Sequence, residues 1–142
     1  DKIVIFTGDD LDDMGELLKL IVDNQKKDKE KECLLILDDC IGLLRGDLGK
    51  LCAKYRHFNL SIIITSQNFK SYDPITRNCA SHWIMFKTYN KGEQNKIFEE
   101  MSGFPDFEKH YNDATAEKYN FLYVNVRSQE LRHNFNKLLW RK

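Results

Sequence analysis

The chain has 142 residues, with 22 Lys+Arg against 22 Asp+Glu, 42% hydrophobic and 31% charged residues. That length and composition suit one globular domain, or part of one. Zero formal net charge excludes DNA binding through a global positive field while leaving a local basic patch open, and no apolar run nears the ~18 residues that would span a bilayer.

In chain order, Ile3 to Phe6 is a short apolar, β-branched run closed by Thr7-Gly8, which reads as a buried strand. Acidic residues Asp9, Asp10, Asp12 and Asp13 then favour a helix start. Leu11, Met14, Leu17, Leu18, Ile21 and Val22 recur at helical spacing, predicting an amphipathic helix to about Gln25. The charged stretch Lys26 to Glu32 reads as a solvated helix end and loop.

Leu34-Leu35-Ile36-Leu37 is unbroken in its apolar character, as in strands buried on both faces, and it ends in Asp38-Asp39. Leu44, Leu48, Leu51, Cys52 and Tyr55 mark a second helix, weakened early by Gly46 and Gly49. Leu60 to Thr65 is a third buried strand, ending in Ser66-Gln67. The segment from Asn68 to Ser81 reads as irregular, with a single turn near Ile75. Trp83 to Phe86 is expected as a strand, Glu93 to Met101 as a helix and Asp106 to Tyr111 as a shorter one. Phe121 to Val126 alternates like a strand, and Gln129 to Trp140 reads as a terminal amphipathic helix with basic ends. Two domains are therefore expected, residues 1–126 and a basic helical tail at 127–142. Alternating strands and helices imply βαβ units and an α/β fold with a mainly parallel sheet covered by helices on both faces. Cys33, Cys40, Cys52 and Cys79 form no C-x-x-C pair, and the four histidines lack metal spacing, so reduced thiols in a reducing compartment are expected.

Ligands of an open parallel sheet bind beyond the carboxyl ends of its strands. Parallel strands would thus gather Thr7-Gly8-Asp9, Asp38-Asp39 and Thr65-Ser66-Gln67 on one edge. Four apolar residues feeding two carboxylates have the layout of a Walker B element, the first carboxylate for a hydrated Mg²⁺ and the second for the attacking water. Taken alone, the pair equally suits a strand ending in two solvated acids. Gln67 stands where a γ-phosphate sensor would, and taken alone it equally suits a turn. The two together, one βαβ unit apart, favour a nucleotide site. Arg56 and Arg77 are candidates for an arginine donated to a neighbouring subunit's γ-phosphate; an ordinary surface role is the alternative for each.

Leu34-Leu-Ile-Leu-Asp-Asp-Cys-Ile41, Tyr55-Arg-His-Phe-Asn-Leu-Ser-Ile-Ile-Ile-Thr-Ser-Gln67, Arg77-Asn78 and Tyr119-Asn-Phe-Leu-Tyr-Val124 together resemble the FtsK–HerA superfamily, and within it the genome-packaging ATPases of poxviruses, giant viruses and virophages. The resemblance runs from about Ile3 to Val126. It implies a RecA-like P-loop NTPase core, with Asp38 as the Mg²⁺ carboxylate, Asp39 as the catalytic one, Gln67 as the sensor and Arg77 or Arg56 as the trans-acting arginine. It also implies ATP and Mg²⁺ as cofactors and a homo-oligomeric ring that drives double-stranded DNA into a capsid. Capsid proteins would be partners, in the host cytoplasm, its viral factory or the virion.

One departure stands out. The 142 residues contain no G-x-x-x-x-G-K-[ST]; the nearest string, around Gly46 to Leu51, has Leu44 for its first Gly, Leu51 for its Ser/Thr, and lies on an expected helix. The expectation is a C-terminal portion of a longer ATPase, with a core incomplete at the N-terminus and inactive by itself. The alternatives are a catalytically incomplete ATPase-like interaction domain binding motor or capsid partners, and an α/β nucleic-acid-binding module using Arg127, Arg132, Lys137, Arg141 and Lys142.

Overall fold

A computed structural model describes residues 14–27, 31–39 and 47–142, without the side chains of Met14, Leu17, Asp47, Tyr55 and Arg56. The expected first strand, its Thr7-Gly8-Asp9 end and Cys40 lie outside the described residues. The chain divides into two compact units between Cys79 and Ala80.

The first unit contains α1 (Met14–Lys27), β1 (Cys33–Asp38), α2 (Asp47–Lys54), a 3-10 turn (Tyr55–Phe58), β2 (Leu60–Thr65), a second 3-10 turn (Phe69–Ser71) and α3 (Pro74–Cys79). β1 and β2 pair in parallel and in step, from Cys33 beside Leu60 to Asp38 beside Thr65. Leu18 of α1 and Leu48, Leu51 and Cys52 of α2 join Leu35, Leu37 and Leu60 in one buried core. Apolar residues at helical spacing thus meet alternate residues of the strands. The Gln25 side chain, buried at the end of α1, donates to the carbonyls of Lys31 (2.8 Å) and Phe58 (2.9 Å), pinning the helix to the entry of β1.

The other face of this small sheet departs from expectation. Leu34, Ile36 and Ile63 are 56%, 60% and 50% exposed, so among the described residues helices cover one face only. Gly49 sits inside α2, not in a loop, and a Cβ there would come within 2.9 Å of Asp73 Oδ1. The glycine therefore permits a close approach of α2 to the start of α3. Asp73 caps that helix, which reads as more than the expected single turn: its carboxylate accepts from Thr76 N (3.0 Å) and Thr76 Oγ1 (2.7 Å), and Pro74 takes the first helical position.

The second unit contains β3 (His82–Phe86), α4 (Lys91–Glu100), α5 (Phe107–Ala114), β4 (Phe121–Asn125), β5 (Glu130–His133) and β6 (Lys137–Arg141). Its sheet is antiparallel throughout, in the order β3-β4-β5-β6. The fold is α/β with a parallel pair, but four of its six described strands are antiparallel, which corrects the expectation of a mainly parallel sheet. Turns at 126–129 and 134–136 are too short for the crossover that parallel pairing needs.

The terminal helix expected over Gln129 to Trp140 is likewise corrected: β5 and β6 form a hairpin. Asn134 turns that hairpin with φ 52°, and its side chain accepts from Phe121 N (3.0 Å) and donates to Asn120 Oδ1 (3.1 Å). Asn tolerates the left-handed region better than other non-glycine residues. Leu131, fully buried, lies beside Val124 in the β4–β5 register and beside Trp140 in the β5–β6 register. Glu130, also buried, is clamped by Arg132 and Arg141, which hold its carboxyl below the usual range. Two cations of the expected basic tail are thus engaged with the buried Glu130. Helix α5 meets the sheet through Tyr111, fully buried, whose hydroxyl donates to Phe86 O and accepts from Thr88 N, both at 2.9 Å.

Candidate nucleotide site

The parallel register brings the carboxyl ends of β1 and β2 together, so Asp38 and Thr65 are side-by-side partners. Thr65 Oγ1 donates a short hydrogen bond to Asp38 Oδ1 and accepts from Asp39 N at 3.2 Å. Asp39 ends the strand with φ 49°, in the left-handed region. Aspartate tolerates that conformation better than most residues, at a cost of about 1 kcal/mol. Gln67, two residues beyond β2, donates from Nε2 to Asp39 Oδ2 at 2.9 Å. The structure therefore joins Asp38, Asp39 and Gln67 through hydrogen bonds, with Thr65 as the added link. Asp38, Asp39 and Gln67 are all exposed.

Below this edge, Tyr72 is buried and its hydroxyl donates to Ile64 O at 3.4 Å. Burial, and then the Asp39 carboxylate, push the Tyr72 phenol up to about 12. Ser66 and Ser71 hydroxyls share a 2.8 Å hydrogen bond, and Ser71 donates to Asn68 O, so the segment after β2 is folded back on itself.

Arg77 lies on α3, with its guanidinium 5.5 Å from the Phe69 ring centroid and Nη1 donating to Tyr72 O. Arg77 thus braces the Phe69–Tyr72 segment of its own chain. Arg56 belongs to the first 3-10 turn, and its side chain lies outside the described residues. Thr65 and Tyr72 received no role from the sequence. For Thr65 a signal existed: Cys33 to Asp38 and Leu60 to Thr65 are runs of equal length, and in-step parallel pairing sets the hydroxyl beside the carboxylate.

As to chemistry, two carboxylates and an amide on one exposed edge supply hard oxygen donors and a neutral hydrogen-bonding group. Among the described residues, no group of three or more His, Cys, Asp or Glu gathers to hold a metal by itself. The donor set suits Mg²⁺ shared between one or two carboxylates, water and substrate phosphates. No helix among the described residues is long and apolar enough to cross a membrane.

The poxvirus A32 protein family model matches residues 10–103, more than half of the chain. No curated protein matches the chain significantly. The fold is similar to that of B204, the DNA-packaging ATPase from Sulfolobus turreted icosahedral virus, at TM-score 0.66 and 20% identity over 91% of this chain and 63% of that one. It is also similar to the genome packaging NTPase B204 from Sulfolobus turreted icosahedral virus 2 in complex with ATP-gammaS, at TM-score 0.64 and 21% identity over 84% of this chain and 60% of that one. The AMP complex of the same NTPase gives TM-score 0.63 at 22% identity. At such identity the likeness is one of fold, and the chain spans about three fifths of the length of these relatives. The family match spans both strand tips of the candidate site, and it shows that the chain belongs to the poxvirus A32 protein family.

Proposed function

We propose that this chain is part of a motor subunit that couples Mg²⁺-dependent ATP hydrolysis to moving viral double-stranded DNA into a capsid. The observation that carries the reading is the hydrogen-bonded set Asp38–Thr65–Asp39–Gln67 at the tips of two parallel strands. A strand that merely ended in solvated acids would have no need to join both carboxylates to the neighbouring strand's tip. The B204 complexes with nucleotide analogues and AMP support nucleotide as the ligand class.

In this reading Asp38 holds the hydrated Mg²⁺, which supplies charge neutralisation of the nucleotide phosphates when bound. Asp39 orients the attacking water and accepts its proton. Gln67 meets the γ-phosphate through the amide that now rests on Asp39. Arg77 or Arg56 serves a neighbouring subunit of a homo-oligomeric ring, and capsid proteins dock that ring during virion assembly in the infected cell.

The test is ATP turnover, with and without duplex DNA, by a chain extended N-terminally with its upstream coding sequence, beside residues 1–142 alone. DNA-stimulated hydrolysis by the extended chain, abolished by Asp39→Asn with nucleotide binding kept, is the expected result. A folded extended chain that binds no nucleotide would overturn the reading in favour of an interaction domain.

A further inference from the structure

We propose that Thr65 is a positioning residue for both carboxylates, acting on Asp38 through its proton and on Asp39 through its lone pair. The inference rests on the nucleotide-site reading above. A hydroxyl has one proton and two lone pairs. The Asp39 N–H can only donate, so the Thr65 oxygen accepts from it at 3.2 Å. The proton is then directed to Asp38 Oδ1, which can only accept when ionised. One hydroxyl therefore fixes the plane of the first carboxylate and holds the backbone that aims the second.

Three further features make Thr65 suited to this. Its place is set by strand pairing, since Thr65 is the last residue of β2 and the register partner of Asp38. Its β-branch restricts χ1, so the hydroxyl is aimed before any ligand arrives. Its hold on Asp39 N sits at the left-handed residue, where the chain leaves the strand and where the Gln67 amide meets the Asp39 carboxylate at 2.9 Å. Freed from Thr65, Asp38 would rotate about its own χ angles, and the Asp39–Gln67 contact would lose its backbone anchor. Groups that orient a metal-holding carboxylate typically contribute about 10–100-fold to metal affinity or activity.

The experiment uses the N-terminally extended chain with a non-hydrolysable ATP analogue, and Mn²⁺ as a paramagnetic probe whose binding is read by electron paramagnetic resonance. Thr65→Val keeps the shape and removes the hydroxyl; Thr65→Ser keeps the hydroxyl. The expected result is Mn²⁺ binding weakened about 10–100-fold in Thr65→Val. Metal-free nucleotide affinity and the thermal midpoint should hold, and Thr65→Ser should recover to within about threefold of the parent. Thr65→Val with parental Mn²⁺ affinity would overturn the proposal, as would Thr65→Ser as weak as Thr65→Val, which would assign the effect to packing. If the parent chain binds the nucleotide analogue but shows no Mn²⁺ site lost in Asp38→Asn, the metal reading itself fails, and the role of Thr65 fails with it.

Discussion

Replacing Tyr111 with phenylalanine removes one oxygen atom from a fully buried ring and leaves the ring in place. Two hydrogen bonds go with it, the donation to Phe86 O and the acceptance from Thr88 N, each 2.9 Å. A hydrogen bond of this kind contributes about 1 kcal/mol net, and the partly buried partners left without it add up to about 1 kcal/mol more. The ring contacts, including the edge-on contact with Phe98 at 5.5 Å, remain. The expected loss is therefore about 2–3 kcal/mol. For a chain of this size that corresponds to a fall of roughly 6–10 °C in Tm. Calorimetry and urea unfolding read the global effect, and amide hydrogen exchange at Thr88 reads the local one. Tyr119→Phe, on a ring 78% exposed, serves as the control and should stay within about 0.5 kcal/mol of the parent. A Tyr111→Phe loss no larger than that of the control, with Thr88 still protected, would refute the claim that this hydroxyl ties α5 to the end of β3.

Alkaline pH should destabilise the first unit, because burial pushes the Cys52 thiol from 9.0 to about 11 and the Tyr72 phenol from 10.0 to about 12. Raised folded-state values mean stability is fully present below the unfolded values and is lost as pH rises through this range; Tyr72→Phe should flatten the alkaline limb of a urea-midpoint profile, and an unchanged limb would remove Tyr72 from the effect. Asp73→Ala should cost about 1 kcal/mol by uncapping α3. Burial raises the Asp73 pKa, but the hydrogen bonds from Thr76 outweigh it and leave the pKa lowered, so the Asp73→Ala penalty should shrink as pH falls through that lowered value; a penalty constant with pH would refute the capping account. Arg77→Ala should cost about 1–2 kcal/mol through the Phe69 and Tyr72 contacts, and turnover regained in mixed assemblies with Asp39→Asn subunits would add a trans role, whereas none regained with assembly intact assigns Arg77 to the fold alone.

The strands of the first unit were legible because uniform apolar runs end abruptly in polar residues at Asp38 and Thr65, and local composition is enough to show that. The hairpin at the end of the chain was not. Leu131, Phe135, Leu138 and Leu139 fit a helical stripe as well as they fit strands, and what decides between them is pairing with β4, which local spacing does not contain. Burial was misjudged at Leu34, Ile36 and Ile63 for a related reason: an apolar side chain shows that a face can be covered, not that it is. Placing two strand tips on one edge set Gln67 and Asp39 in the same neighbourhood, but the hydrogen bond between them depends on side-chain geometry that the sequence does not contain. Thr65 needed more, because only the residue-by-residue register shows which hydroxyl stands beside which carboxylate.

That register has a wider consequence. A strand usually chooses its alignment by sorting apolar from polar side chains, since a slip of one residue turns every side chain over. β1 offers little to sort: Leu35 and Leu37 point inward, Leu34 and Ile36 outward, and the exchange would cost the core almost nothing in apolar area. The choice falls to the polar ends, where Asp38 meets Thr65 and Cys33 N meets Asn59 O. The residues that carry the proposed chemistry are thus also punctuation for folding. Of the two marks, the one at the entry joins backbone atoms, so a chain that loses the Thr65 hydroxyl keeps Cys33 N on Asn59 O and with it a point from which the strands can align.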